Sequence, residues 1–356
     1  MNRVDALRKV AFKEDKFDGY AVFNGINLTY LAGFSGSSAL LVPRDGESVL
    51  YVYGVNYEMA KAEGAGFRVE RVERCENLME KVAKQSVAFG IKRLAVDALS
   101  ITNWRALAKS MGSEEKLVAD NGVVQELRKI KGEEEIKLLR KAAELTSLGM
   151  KVAYETVAAG LKEYEVAAEI EYAMRKQGSG GTAFETIVAS GACSAFPHGG
   201  CSDRKIRQGD LVVVDIGAAY RSYCSDMTRT LVAGKASEKQ KRLYGIVKQA
   251  QDNAFATVKA NVKAKDVDAA ARQAIAEAGF GDYFVHNLGH GVGLEVHEPP
   301  TLSPESTDTL AVGNVVTVEP GIYLVGYGGI RIEDTVLVGK AGAEKLTSGP
   351  YALTKE

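Results

Sequence analysis

Residues 211–232 read LVVVDIGAAYRSYCSDMTRTLV. Two apolar, largely β-branched runs flank a polar centre, which predicts two strands joined as a hairpin. Each strand carries an aspartate where an apolar residue would cost less: Asp215 near the end of the first and Asp226 near the start of the second. A two-residue turn at Tyr220-Arg221 would set the two directly across from one another, with Cβ atoms about 4.5–5.5 Å apart. Tyr-Arg is a poor turn pair, so the register could shift by two and still keep both carboxylates on one face. Buried like charges at that distance repel, and one would ordinarily keep its proton. Taken alone, the two aspartates favour a structural ion pair with Arg204, Arg221 or Arg229 over a bound cation.

Later segments repeat the pattern and shift that balance. HNLGHGVGLEVHEPP (286–300) is Gly-rich around His290, where close backbone approach is possible, and ends on His297 and Glu298. All four histidines, His198, His286, His290 and His297, lie in the second half of the chain. VVTVEPG (315–321) is an apolar strand that ends on Glu319 before a Pro-Gly turn, and GGIRIEDTVLV (328–338) puts Arg331, Glu333 and Thr335 on one strand face. One carboxylate at a strand end is unremarkable. Four, with a histidine in a flexible loop, are hard to account for as packing.

Charge arithmetic favours metal. Four carboxylates and a hydroxide carry about −5 and two divalent ions about +4, so a dinuclear site is close to neutral. Without cations such a buried cluster would be strongly repulsive. Oxygen-rich ligation with one imidazole suits Mn²⁺, Co²⁺, Fe²⁺ or Zn²⁺, and two ions roughly 3.5–4 Å apart form a clamp for hydrolysis. Cys75, Cys193, Cys201 and Cys224 form no CxxC pair and are read as free thiols of a reducing compartment.

The rest of the 356 residues supplies the frame. Residues 2–15 show helical spacing, and apolar runs at 20–23, 38–42 and 48–53 read as short strands. NLTYLAGFSGSSA (27–39) is turn-rich and reads as a loop, with a binding role and a plain connection as its two meanings. Asn121-Gly122 is a turn signal, and the domain boundary is placed at 124/125. Glu133 to Glu135 open a helix whose first turn they suit electrostatically. Further amphipathic helices are expected over 162–177, stopped by the glycines of 178–181, and over 238–260 and 265–278.

Composition excludes some functions. Lys and Arg number 45 and Asp and Glu 46, for a net charge of −1, which gives no support to a nucleic-acid footprint. MNRVDALRKV has no apolar h-region, and the uncharged stretch 19–43 is too polar for a bilayer core. A cytoplasmic protein with no membrane partner is the expectation.

Asp215, Asp226, His290, Glu319 and Glu333, in that order, resemble the five metal ligands of the pita-bread metallopeptidases, a family that includes methionine aminopeptidase, aminopeptidase P and Xaa-Pro dipeptidase. VVVDIG, SDMTRT, GHGVGLEVHEPP, VEPGIY, GIRIEDT and ASGACSAFPHG (189–199, with His198) are similar to that family's motifs. NLTYLAGFSG and QELRKIKGEEEIKLLRKA resemble the creatinase-type N-terminal domain and linker helix of the proline-specific members, which methionine aminopeptidases lack. Creatinase has the fold without the ligands; all five are present here.

The resemblance implies an α/β (α+β) protein with a creatinase-like N-terminal α/β domain over residues 1–124 and a pita-bread catalytic domain over 125–356. It implies two divalent ions per subunit, with Asp226 and Glu333 between them, Asp215 completing one, and His290 and Glu319 the other. A hydroxide bridging the ions would attack the bond before proline. Glu319 would shuttle the proton, His297 would stabilise the oxyanion, and His198 would contact the proline side of the substrate. Arg331 is a candidate for binding the substrate carboxylate, or for a structural pairing with Asp226 or Glu333. The substrate would be an Xaa-Pro dipeptide or, alternatively, a longer Xaa-Pro peptide, and the assembly a homodimer. A non-catalytic binding member of the fold is the remaining alternative, and a missing ligand would favour it.

Overall fold

The computed structural model describes residues 2–63, 66–120 and 122–355; Asn121 of the expected turn lies outside them. The chain divides into two compact units, Met1–Arg128 and Lys129–Glu356. The division falls four residues beyond the expected 124/125, inside the last turn of the helix Val123–Lys129. No helix among the described residues is long and apolar enough to cross a membrane.

In the first unit, six strands form one mixed sheet in the order Arg68–Val72, Val49–Tyr53, Ala39–Pro43, Gly19–Val22, Leu94–Val96, Leu117–Ala119. The central strands are buried on both faces, with Leu41, Val49 and Leu94 fully enclosed by helices that contribute Val82 and Leu107. Two expectations need correction here. The first helix is Arg3–Ala11, not 2–15. The segment 27–39 is not a loop throughout, because residues Gly25–Ala32 form a helix. The Asn24 side chain caps it by accepting from the amides of Ile26 and Asn27, and Gly33 ends it in the left-handed region at φ 71°.

The second unit has two halves, each a helix pair over strands. Glu133–Thr156 and Glu163–Lys176 cover the antiparallel sheet Met227–Val232, Leu211–Ile216, Ile187–Ser190. Glu238–Thr257 and Ala264–Glu277, slightly shorter than expected at their C-termini, pack with the five-stranded sheet Glu298–Leu302, Gly289–Gly291, Val315–Val318, Asp334–Val338, Ala343–Lys345. A two-stranded ribbon, Gly321–Leu324 with Gly328–Arg331, completes the unit. This is the mixed α/β catalytic architecture that the resemblance implies. The acidic first turn of Glu133–Thr156 does more than complement the dipole, since the Glu135 carboxylate accepts from the amide of Gly132 at 3.0 Å.

The hairpin that bears the aspartates turns at Arg221-Ser222, not at Tyr220-Arg221. Both central residues have positive φ, 47° and 70°, as a tight two-residue hairpin turn demands. The register is therefore shifted by two from direct opposition: Asp215 pairs with Thr228 and Ile216 with Met227. Asp215, Asp226 and Thr228 remain on one face, because a shift of two preserves strand parity.

Candidate metal centre

Four strand ends and one bulged strand deliver carboxylates and an imidazole into a single cavity of about 610 Å³. Asp215 is the penultimate residue of Leu211–Ile216, and Asp226 immediately precedes Met227–Val232. His290 is the middle residue of Gly289–Gly291, whose pairing with Glu298–Leu302 is irregular between the two glycines. Glu319 follows Val315–Val318, and its amide donates to the carbonyl of Leu288 at 2.9 Å. Glu333 lies between Gly328–Arg331 and Asp334–Val338, with its amide donating to the carbonyl of Thr228 at 3.1 Å. His198, His297 and Arg331 line the same cavity, so it brings together every residue singled out in the sequence as catalytic, substrate-binding or metal-ligating.

The polar contacts are specific. His290 Nε2 lies 3.2 Å from Glu319 Oε1 and 3.7 Å from Asp226 Oδ2. Thr317 Oγ1 accepts from the His290 amide at 3.0 Å and donates to Glu319 Oε1 at 3.1 Å. Thr228 Oγ1 donates to Glu333 Oε2 at 2.6 Å while accepting from Arg331 Nε at 3.1 Å. Arg331 contributes Nη2 to Asp215 Oδ2 at 2.5 Å and Nη1 to the Tyr323 hydroxyl at 2.8 Å. The structural partner of Arg331 is thus Asp215, not Asp226 or Glu333. Arg331 reaches Glu333 only through the Thr228 hydroxyl that the two share.

The carboxylates are under electrostatic load. Burial, then the charges of Glu333 and Asp215, pushes Asp226 well above the ordinary carboxylate range. Burial, then Glu319 and Asp215, does the same to Glu333. For Glu319 burial acts upward, but the hydrogen bond and charge of His290 outweigh it and hold the group below its usual range. His290 is raised reciprocally, its burial being overcome by Glu319. His297, whose ring stands 4.1 Å from that of His290, is lowered by burial and by that neighbour.

The residues fit a cation. Among the described residues, Asp215 Oδ1, Asp226 Oδ1 and Glu333 Oε1 are buried without a hydrogen-bond partner. Ligand atoms of Asp226, His290 and Glu333 all lie within 4.8 Å of one another. Three buried carboxylate oxygens left unpaired in one cavity would be costly in any other setting, and hard oxygen donors with one imidazole suit a first-row divalent ion.

Four contributors went unassigned in the sequence. Thr228 and Thr317 orient carboxylates through their hydroxyls; each shares a strand face with a predicted ligand two residues away, which is the signal that strand parity offers. His286 lines the cavity and meets the Tyr323 hydroxyl at 2.9 Å. It stands four residues before His290 in the same Gly-rich segment. Tyr323 closes the VEPGIY motif, but its role depends on the ribbon partner Gly328–Arg331.

Two family models together cover most of the chain. Residues 137–340 match Metallopeptidase family M24, and residues 3–130 match the Creatinase/Prolidase N-terminal domain. A protein of Pyrococcus horikoshii named Xaa-Pro dipeptidase is 41% identical over 346 residues, 96% of this chain and 97% of that one. The solved Xaa-Pro dipeptidase of Bacillus anthracis superposes with a TM-score of 0.94 at 37% identity, covering 99% of this chain and 98% of the other. An X-Pro aminopeptidase of Thermotoga maritima reaches a TM-score of 0.89 at 35% identity, covering 98% and 99%. With both halves matched over nearly their full length and the ligand chemistry present, the chain belongs to metallopeptidase family M24, a family of divalent-metal enzymes, and carries the creatinase/prolidase N-terminal domain.

Proposed function

We propose that this metallopeptidase hydrolyses the peptide bond preceding proline, with Xaa-Pro dipeptides as its principal substrates. The observation that carries the reading is the set of four carboxylates and His290 around one cavity, with three buried carboxylate oxygens unpaired. The similarity to chains named Xaa-Pro dipeptidase directs the choice of substrate.

Asp215, Asp226, His290, Glu319 and Glu333 would hold divalent ions of the Mn, Co, Fe or Zn type, two per chain. Those ions would supply Lewis-acid activation of water and of the scissile carbonyl. Glu319, kept ionised by His290, accepts the proton of the attacking water and delivers it to the leaving proline nitrogen. His297 donates to the oxyanion. His198 receives the proline side of the substrate. Arg331 holds Asp215 by one oxygen and so leaves Oδ1 directed at the site. An Xaa-Pro bond has no N–H, so a site that acts on its carbonyl and recognises the ring by shape loses nothing there. A homodimer accompanies this reading, testable by light scattering at about twice the mass of the chain.

A second reading, removal of the N-terminal residue from longer Xaa-Pro peptides, is favoured by the equally complete match to the Thermotoga X-Pro aminopeptidase. The test strips metal from the purified enzyme, returns Mn²⁺, Co²⁺ or Zn²⁺, and compares Met-Pro, Met-Pro-Ala and Met-Ala. Cleavage of Met-Pro alone supports the dipeptidase. Cleavage of Met-Pro-Ala before proline supports the second reading. Preference for Met-Ala, or no turnover with any metal, overturns both.

A further inference from the structure

His297 and Glu298 are sequence neighbours with opposite surroundings. His297 lines the cavity beside His290. Glu298, at the start of Glu298–Leu302, turns into the protein, as alternation along an extended backbone requires. There its Oε1 lies 2.7 Å from Lys131 Nζ, with the two side chains 2% and 1% exposed. The proposed catalytic imidazole and a buried ion pair therefore share one short piece of backbone.

The lysine stands on a fixed base. Its amide donates to the carbonyl of Gly313 at 2.9 Å. Lys129, two residues earlier, pairs with Asp308 at 2.7 Å and accepts at its carbonyl from Asn314 Nδ2 at 2.9 Å. The carboxylate, for its part, occupies the inside of the loop between the two histidines. A Cβ at Gly293 would come 2.3 Å from Glu298 Oε1, and Gly291 is the ladder partner of Glu298. With glycine at 293 the loop lies closely over the carboxylate.

A buried ion pair contributes little net stability, whereas loss of one partner leaves an uncompensated charge in the interior. The pair's geometry is thus its more consequential property. We propose that Lys131 and Glu298 are positioning residues for hydrolysis: their ion pair braces the 291–298 loop from behind and sets His297 against His290. The proposal rests on the oxyanion role given to His297. Without Lys131, Glu298 Oε1 loses the ammonium that fixes its position, and the adjoining His297 backbone shifts with it.

The test is a mutant cycle on the metal-loaded enzyme with Met-Pro, using Lys131→Met, His297→Ala and the double variant, and reading kcat, KM and bound metal. Lys131→Met lowers kcat on the order of 10²-fold, the scale of a misplaced catalytic group, with metal content retained. In the His297→Ala background the same substitution adds no more than about twofold, because the two act as one unit. If Lys131→Met fails to accumulate, Glu298→Gln, which keeps the volume, goes through the same cycle. Losses that multiply in the double variant, or a single variant of unchanged kcat, overturn the brace. A fully active His297→Ala overturns the role of His297 itself, a failure seen before the cycle is closed and so distinct from failure of the brace.

Discussion

Arg331 Nη2 lies 2.5 Å from Asp215 Oδ2, and the two side chains are 3% and 12% exposed. One carboxylate oxygen is thereby held by a guanidinium while the other, Oδ1, stays unpaired in the cavity. In the chelated protein, removing the arginine leaves Asp215 buried beside Asp226 and Glu333 without the guanidinium that neutralises it. Arg331→Leu is expected to cost about 3–5 kcal/mol of stability, and Arg331→Lys to rescue it only in part, since an ammonium cannot serve Asp215, Tyr323 and Thr228 in one fork. Urea unfolding of both variants checks this; a lysine variant as stable as the wild type would contradict it.

Asp226→Asn separates metal binding from folding. The amide keeps the shape but loses the charge, so bound metal falls and Met-Pro hydrolysis drops below detection. In the chelated protein the same change relieves the repulsion that pushes Asp226 upward. The chelated variant should therefore be at least as stable as the chelated wild type at about pH 8. Elemental analysis and thermal melts provide the check, and full activity with unchanged metal would sink the assignment.

The same shifts fix a pH dependence. Asp226, Glu333 and His290 have folded pKa values above their ordinary ones in the metal-free protein. Such groups bind more protons folded than unfolded, so their stabilisation is present at low pH and lost as pH rises through the folded values. Cation binding needs them deprotonated and strengthens over the same interval. The gap in melting temperature between metal-loaded and chelated enzyme should therefore widen from about pH 5 to about pH 8. A constant or narrowing gap would be inconsistent with this account.

Thr228 connects Glu333 to Arg331 through one hydroxyl. Thr228→Val keeps the strand and its volume but strips both partners, for a cost of about 1–3 kcal/mol and a roughly 10–100-fold loss of metal affinity. Competition with a chelating dye measures the second quantity; unchanged affinity would assign the hydroxyl to packing alone.

The chemistry of the site was more legible than its geometry. Asp215, Asp226, Glu319 and Glu333 stand out because each interrupts or ends an apolar strand, where an ionisable side chain needs a compensating reason. The hairpin register did not stand out, because Arg221 and Ser222 adopt positive φ without being glycine or asparagine. The helix Gly25–Ala32 carried its signals, Asn24 before and Gly33 after, yet its eight residues are too few for periodicity to declare it. Arg331 was placed on the right face, but its pairing with Asp215 depends on which strands become neighbours. Strand parity does not determine that.

On the proposed mechanism, the cluster around Asp226 is a cation site on which hydrolysis depends. The most direct measurement titrates Mn²⁺ into chelated enzyme, following bound metal per chain together with the initial rate on Met-Pro. No turnover is expected at zero metal, with recovery that saturates at two ions per chain. Full turnover in the chelated enzyme, or tight binding of metal that leaves Met-Pro intact, would contradict the proposed mechanism.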